Sequence, residues 1–173
     1  MTVTEAIQKR RSIRKFKAGA EVTDAQVKLL LEAAMLSPSA CNSRPWRFVV
    51  ITNRDLLDKL AECHRFAKML NTASAAIVMV ALADEQYENE VARGFYPQDC
   101  GAATQNILLQ AVEMGLGTCW CGVYPKEHIV ASVREILSLP DDEVPMCIIA
   151  VGQPDQSPDA RGFYEEEKVR WME

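Results

Sequence analysis

Residues 99–122 read DCGAATQNILLQAVEMGLGTCWCG, and the rest of the chain is organised around this stretch. From Ala102 to Met114 nearly every side of a helix would be apolar, which predicts a core helix buried on more than one face. Gly115 and Gly117 are expected to end this helix, because glycine adopts left-handed backbone angles without a steric penalty. The sequence therefore places this helix at the centre of the fold.

A short strand is predicted at 118–121, directly after the central helix, and it ends at Gly122. A strand flanked by glycines leaves bare peptide groups that a flat ligand can approach. The alternative is that Gly115 and Gly117 only cap the helix and that Trp120 fills the core. Taken alone, the stretch favours this second interpretation.

The length, composition and net charge are those of an ordinary globular chain. It has 173 residues, of which 49% are hydrophobic and 25% charged, and these values predict a single domain over 1–173. The net charge of -5 argues against general nucleic-acid binding. The longest apolar run, Ala73 to Ala83, has 11 residues and is too short to cross a bilayer. With no recognisable signal peptide, a cytoplasmic protein without a membrane partner is expected.

The sequence predicts no metal site. Its six cysteines include no Cys-x-x-Cys pair, and in a cytoplasmic chain they are expected to be buried thiols. Cys119 and Cys121 are expected to point to opposite faces of their strand. His64 and His128 lie in charged helical surroundings without neighbouring ligands.

The apolar patterns predict helices that alternate with strands. Two capping boxes, Thr2 with Glu5 and Thr23 with Gln26, mark the first two helices. The other predicted elements are strand 48–52, helix 54–64, a short helix at 66–70, strand 76–82, helix 102–114, strand 118–121, helix 126–137 and strand 146–152. The charged segment 85–94 is predicted to be a surface segment or lid. These elements predict a mixed sheet covered by helices.

A dense basic patch follows the first helix and comprises Arg10, Arg11, Ser12, Arg14 and Lys15. In an extended segment Arg10, Ser12 and Arg14 would project from one side. Guanidinium groups bind phosphate oxygens in a fork, and a hydroxyl adds a neutral donor. The patch therefore indicates a phosphate site, although a solvated cationic face is the simpler interpretation of the patch alone.

Residues 37–46 read SPSACNSRPW and are predicted to form a rigid loop. Its two prolines and small polar residues exclude a long helix and leave many backbone donors. Such a loop can bind the edge of a polar heterocycle. The alternative is a plain connector from which Trp46 enters the core.

The C-terminal residues 153–173 are predicted to form an extended arm. Pro154, Pro158 and Gly162 are incompatible with a core element, and the large side chains beyond them include Tyr164 and Trp171. Exposed aromatic residues on an arm are typical of association between subunits. A homodimer with exchanged arms is the economical interpretation.

Taken together, these segments resemble the nitroreductase family of FMN-dependent oxidoreductases. The matching motifs are RRSIRKF at 10–16, PSACN at 38–42 with PWRF at 45–48, and GLGTCW at 115–120 with Gly122. They occur in the right order and spacing over almost the whole chain. The resemblance implies an α+β fold with three α-β-α layers, a mixed, mainly antiparallel central sheet, and a homodimer that exchanges its C-terminal arms.

The resemblance also implies a cofactor site. Arg10, Arg11, Ser12 and Arg14 match the segment that holds the flavin phosphate, ribityl chain and pyrimidine edge, and Arg161 matches a second phosphate contact. Four residues match the loop that reaches across the dimer to the isoalloxazine: Pro38, Ser39, Ala40 and Asn42. Three further residues match the family's site. Cys121 and Gly122 match the place where backbone N–H groups face flavin N5, and Lys68 matches a lysine near flavin O2. Arg44 departs from the family pattern and places a cation near the mouth of the site.

The implied activity is ping-pong oxidoreduction. FMN would take a hydride from NADH or NADPH at N5, and a nitroaromatic, quinone or other conjugated acceptor would then enter the same cleft. No Gly-x-Gly-x-x-Gly segment or catalytic Ser-His-Asp set is present, which fits transient nicotinamide binding and chemistry carried by the flavin. The alternatives are a flavin-binding dimer without turnover and a flavin-fragmenting or dehalogenating relative of the same fold.

Overall fold

The computed structural model describes residues 1–82, 89–159, 162 and 164–172. These residues contain five α-helices: α1 (Val3–Lys9), α2 (Asp24–Met35), α3 (Arg54–Cys63), α4 (Tyr96–Glu113) and α5 (Glu127–Leu137). They also contain four strands: β1 (Trp46–Ile51), β2 (Ala75–Leu82), β3 (Gly117–Gly122) and β4 (Glu143–Gly152). Both predicted capping boxes are present. The predicted order of elements is confirmed, except that the short helix at 66–70 is a 3-10 turn at Lys68–Asn71.

Residues 85–88 of the predicted lid at 85–94 lie outside the described residues, so the lid remains a prediction. Of this segment, the structure describes a 3-10 turn at Glu90–Ala92, shortly before α4. No helix in the described parts of the chain is long and apolar enough to cross a membrane.

The four strands form one sheet in the order β1-β2-β4-β3. All three strand pairs are antiparallel. A single parallel bridge joins Ser12 to Thr118 on the outer side of β3. The sheet is therefore mainly antiparallel, and its β3 edge is only partly covered by the N-terminal segment.

Helices cover both faces of the sheet, as a three-layer fold requires. Along β2, Val78 packs with residues of α3 and α5 such as Leu60 and Val133, because alternate side chains of a strand point to opposite faces. Its neighbour Met79 packs on the other face with residues of α2 and α4, including Leu30. β2 is buried on both faces, as its continuous apolar sequence predicts.

Helix α4 has one fully buried stripe, formed by residues such as Cys100, Ile107 and Ala111. The predicted burial on more than one face is therefore incomplete, because Leu109 and Val112 are only half-buried in the single chain. Leu109 lines a surface groove together with Val3 and Leu36 of the N-terminal region.

The two glycines after α4 have different roles. Gly115 has φ +70°, and its N–H and that of Leu116 bond to the carbonyls of Val112 and Ala111, which completes a Schellman cap. The expectation that Gly117 also ends the helix is wrong. Gly117 begins β3, and a Cβ there would lie 2.9 Å from Cγ2 of Ile13, so its missing side chain allows the N-terminal segment to pack.

The first part of the C-terminal arm lies along the N-terminal segment of the same chain. Lys17 N–H donates to the Gln153 carbonyl and Asp155 N–H donates to the Lys15 carbonyl, both at 2.9 Å. Further along, Trp171 is 80% exposed. The described part of the arm includes a 3-10 turn at Glu166–Lys168, and an extended arm that is exchanged between subunits remains a prediction.

Candidate functional site

A cleft of about 500 Å³ lies at the open end of β3. This volume is within the range of sites that bind small organic ligands. Three segments line it, namely residue 14, residues 64–69 and residues 119–122: Arg14, His64, Arg65, Phe66, Lys68, Met69, Cys119, Trp120, Cys121 and Gly122.

The direction of the peptide groups of β3 decides which of them face the cleft. Ile13 N–H donates to the Thr118 carbonyl at 2.8 Å, on the side of β3 away from β4. Because peptide groups alternate in direction along a strand, Trp120 and Gly122 also point their N–H groups away from β4. The N–H of Cys121 points toward β4. The open edge of the strand is therefore presented by Gly122 and not by Cys121.

The surroundings of Gly122 are open. A Cβ built on it would meet no atom within 4 Å, apart from its chain neighbours. Trp120, whose side chain is 42% exposed, does not fill the core, so the simpler interpretation of this stretch is wrong for that residue. A planar ligand can lie against the bare peptide of Gly122 without displacing a side chain.

The cleft is electropositive. Arg14, Arg65 and Lys68 line it, and no carboxylate is among its lining residues in the described parts of the chain. The pKa of the buried Cys119 thiol is lowered, first by a hydrogen bond with Cys121 and then by the positive charges of Arg14 and Arg10. The site therefore suits a ligand that carries negative charge.

His64 is a cleft residue that the sequence analysis missed. It follows α3 directly, its side chain is only 3% exposed, and its Nε2 lies 2.7 Å from the Gly122 carbonyl oxygen. Its Nδ1 accepts a hydrogen bond from Phe66 N–H at 3.1 Å. The bond to Gly122 could not be predicted from the sequence, because it joins residues 58 positions apart, whereas the bond from Phe66 is local. The proximity of His64 to Lys68 in the sequence was the only available signal.

The thiols of Cys119 and Cys121 share a face, which corrects the predicted arrangement. Residues two positions apart on a strand point the same way, and both thiols belong to the same buried cluster. Cys121 Sγ lies 3.8 Å from Met69 Sδ. Among the described residues, no group of three or more His, Cys, Asp or Glu side chains is placed to hold a metal ion.

The residues of the basic patch diverge in the structure. Arg14 lines the cleft, and Ser12 forms the bridge to Thr118. Arg11 turns away, since its Nε donates to the Asp159 carbonyl at 2.9 Å and it holds the start of the arm. Arg10 is close enough to act on the Cys119 thiol. Arg161, the other predicted phosphate contact, lies outside the described residues.

The loop predicted to contact a ligand is held away from the cleft of its own chain. Its residues Pro38, Ser39, Ala40 and Asn42, as well as Arg44, do not line that cleft. Ser39 Oγ accepts a hydrogen bond from Arg44 N–H at 2.9 Å. Cys41, Asn42 and Arg44 all have φ between 50° and 54°, a conformation that costs about 1–2 kcal/mol per non-glycine residue. The surrounding structure therefore fixes the loop in an unusual shape.

Asp99 of α4 anchors this loop. Its Oδ1 accepts a hydrogen bond from Ala40 N–H at 3.1 Å. The residue is 7% exposed, and its Oδ2 is buried without a hydrogen-bond partner among the described residues. Burial raises the pKa of the Asp99 carboxyl, although the bond from Ala40 opposes the shift. The sequence signal for this anchor was an acidic residue at the start of an apolar helix.

We expect Asp99→Asn to raise the unfolding temperature near neutral pH. A carboxyl whose pKa is raised by folding favours the folded state only while it is protonated, and this contribution is lost as the pH rises through the folded pKa. Asparagine keeps the acceptor for Ala40 without a buried charge. Thermal unfolding should show a higher unfolding temperature for Asp99→Asn than for the wild type at about pH 7, and this difference should shrink toward about pH 4. Asp99→Ala, which removes the acceptor, should lower the unfolding temperature at both pH values. An unfolding temperature of Asp99→Asn below that of the wild type at neutral pH would contradict the expectation.

Comparison with known proteins identifies the class to which this fold and cleft belong. A provisionally named NADH dehydrogenase/NAD(P)H nitroreductase from Methanothermobacter thermautotrophicus is 40% identical over 169 residues, which are 98% of this chain and 86% of the relative. The crystal structure of a similarly named protein from Parabacteroides distasonis superposes with a TM-score of 0.89 at 36% identity, covering 98% of this chain and 96% of the other. The fold is that of NAD(P)H-dependent oxidoreductases of the nitroreductase type.

The sequence profile of the nitroreductase family matches residues 7–65 and 62–153. The chain belongs to the nitroreductase family. A family structure from Desulfovibrio desulfuricans, solved in complex with FMN, is 31% identical, covers 100% of this chain and 98% of the other, and has a TM-score of 0.83. The resemblance inferred from the three motifs is confirmed.

Proposed function

We propose that this chain is an FMN-dependent oxidoreductase that takes a hydride from NADH or NADPH and reduces a nitroaromatic, a quinone or a similar conjugated acceptor. The observation that carries the proposal is the open peptide edge at Gly122 within a cationic cleft. Family membership supports it, as does the FMN held by the Desulfovibrio desulfuricans relative.

FMN fits the residues of the cleft. Its planar ring needs a flat surface without side chains, which Gly122 provides, and its phosphate and pyrimidine edge need cations and donors. Arg14 and Lys68 would face the pyrimidine edge, while Arg10, Ser12 and the C-terminal Arg161 would hold the phosphate. Each charge-assisted hydrogen bond of this kind contributes about 1.5–3 kcal/mol.

When bound, FMN supplies hydride and two-electron chemistry that no side chain of the cleft offers. The protein binds and orients the reactants around it. Gly122 N–H would donate a hydrogen bond toward the reacting edge of the ring, and Arg14 would stabilise negative charge that develops on the pyrimidine side. Trp120 and Phe66, both exposed, offer apolar surface at the mouth for a planar acceptor.

The complete site is proposed to require two copies of the chain. The loop at 38–42 is rigid yet absent from its own cleft, which fits a role across the interface. Leu36 is 84% exposed, and it forms an apolar groove with Val3 and the half-buried Leu109. Surfaces of this kind are typical of subunit interfaces. We therefore propose a homodimer in which each loop completes the other subunit's site and the C-terminal arms are exchanged.

Anaerobic absorption spectroscopy tests the proposed activity. The purified protein should show flavin absorbance that bleaches after addition of NADH or NADPH and returns after addition of menadione. Parallel initial-rate lines, with either nucleotide varied against menadione, would support a ping-pong cycle. Failure of both nucleotides to bleach the flavin would favour a flavin-binding dimer without turnover. Loss of intact flavin during aerobic turnover would favour a flavin-fragmenting relative.

A further inference from the structure

Two hydrogen bonds hold the imidazole of His64 in one tautomeric state. Nδ1 accepts from Phe66 N–H, so it carries no proton. Nε2 faces a carbonyl oxygen, Gly122 O at 2.7 Å, and a carbonyl can only accept. The bond to the carbonyl therefore places a proton on Nε2.

The carbonyl that His64 binds belongs to the same residue that presents its N–H to the cleft. Gly122 has no side chain to fix its backbone, and nothing lies within 4 Å of its Cβ position. It ends β3, where regular pairing with β4 stops after the Gly122–Cys147 pair. The peptide group after Gly122 is held on the β4 side, because Val123 N–H donates to the Met146 carbonyl at 3.0 Å, and His64 holds the carbonyl of the same peptide group on the cleft side.

We propose that His64 is a positioning residue that, together with the bond from Val123 N–H to the Met146 carbonyl, holds the backbone at Gly122 and so limits the direction of the N–H donor offered to the ring of the bound flavin. The inference rests on the proposed function, since it assigns a role toward the same cofactor. His64 acts through Gly122 and does not itself take part in hydride transfer. Its other bond, from Phe66, ties the segment that carries Lys68 to the same strand end.

The two ring nitrogens can be separated by substitution. Glutamine can place an amide N–H near the position of Nε2, whereas asparagine can place an acceptor oxygen near Nδ1 but cannot reach Gly122. His64→Gln should therefore keep the FMN dissociation constant within about threefold of wild type, while His64→Asn and His64→Leu should weaken FMN binding by about 10- to 100-fold. The exposed His128 provides a matched control, and His128→Gln should leave affinity unchanged.

Two readouts distinguish a positioning role from general destabilisation. The flavin midpoint potential should shift in His64→Asn but return toward the wild-type value in His64→Gln, even if both variants lose similar thermal stability. In the cofactor-free protein, long-range proton–nitrogen NMR should show that His64 carries its proton on Nε2.

Equal affinity and potential in His64→Asn, His64→Gln and wild type would overturn the inference, as would a proton on Nδ1. These outcomes are distinct from a failure of the proposed function, in which the wild-type protein itself would bind no FMN.

Discussion

Gly122→Val should abolish FMN binding while leaving the fold intact. The valine side chain would project into open space, so no core contact is disturbed, and a β-branched residue is favourable in a strand. The same side chain would occupy the surface on which the flavin ring is proposed to lie. We expect affinity for FMN to fall by about 100-fold or more. Isothermal titration of the cofactor-free protein measures the change, and circular dichroism checks the fold.

Gly117→Ala is the informative contrast for this prediction. Its Cβ would lie 2.9 Å from Ile13 Cγ2, so the N-terminal segment must shift, and we expect a loss of about 1–3 kcal/mol in the free energy of unfolding. The two glycines thus separate ligand binding from packing within one strand. Full FMN affinity in Gly122→Val would show that the flavin does not lie against this residue.

A chain that ends at Ala160 should be monomeric or insoluble and should lack FMN. The removed residues include Tyr164, Trp171 and Met172, which are 71%, 80% and 79% exposed in the single chain. Buried against a second copy, aromatic side chains of this size contribute substantially to an interface. The truncation also removes Arg161, the proposed second phosphate contact. Sedimentation and the absorbance of the purified protein measure both effects.

A substitution separates the two roles of the removed segment. Arg161→Gln in the full-length chain should weaken FMN binding without changing the mass of the dimer. If the truncated chain sediments as a dimer that retains its flavin, the exchanged arm is not needed for the interface, and the groove around Leu36 and the loop at 38–42 must be enough to form the homodimer.

The elements of the fold could be predicted from the sequence because they depend on local patterns. The continuous apolar run of β2 and the capping boxes at Thr2 and Thr23 correctly indicated where elements lie. The three motifs correctly indicated the family. Gly115 also took its predicted role, since a Schellman cap is defined within one turn of the chain.

The features that the sequence did not indicate depend on contacts between distant residues. Nothing near His64 in the sequence indicates that its ring reaches the Gly122 carbonyl, and nothing near Arg11 indicates that it turns to the Asp159 carbonyl. The role of Gly117 required the position of Ile13, which only the folded chain supplies. The direction of the Gly122 peptide likewise depends on which side of β3 pairs with β4.

The error at Cys119 and Cys121 has a different origin. Their spacing already places both side chains on one face of a strand, so correct use of strand geometry would have predicted the shared cluster. Their burial next to Met69 then follows from the packing of the 3-10 turn at Lys68–Asn71 against β3.

The absorption spectrum of the purified full-length protein, measured with the flavin content per chain and the mass in solution, tests the central claim most directly. A yellow dimer that contains about one FMN per chain is the expected result. A colourless monomer that gains no flavin absorbance after incubation with excess FMN and gel filtration would contradict the account.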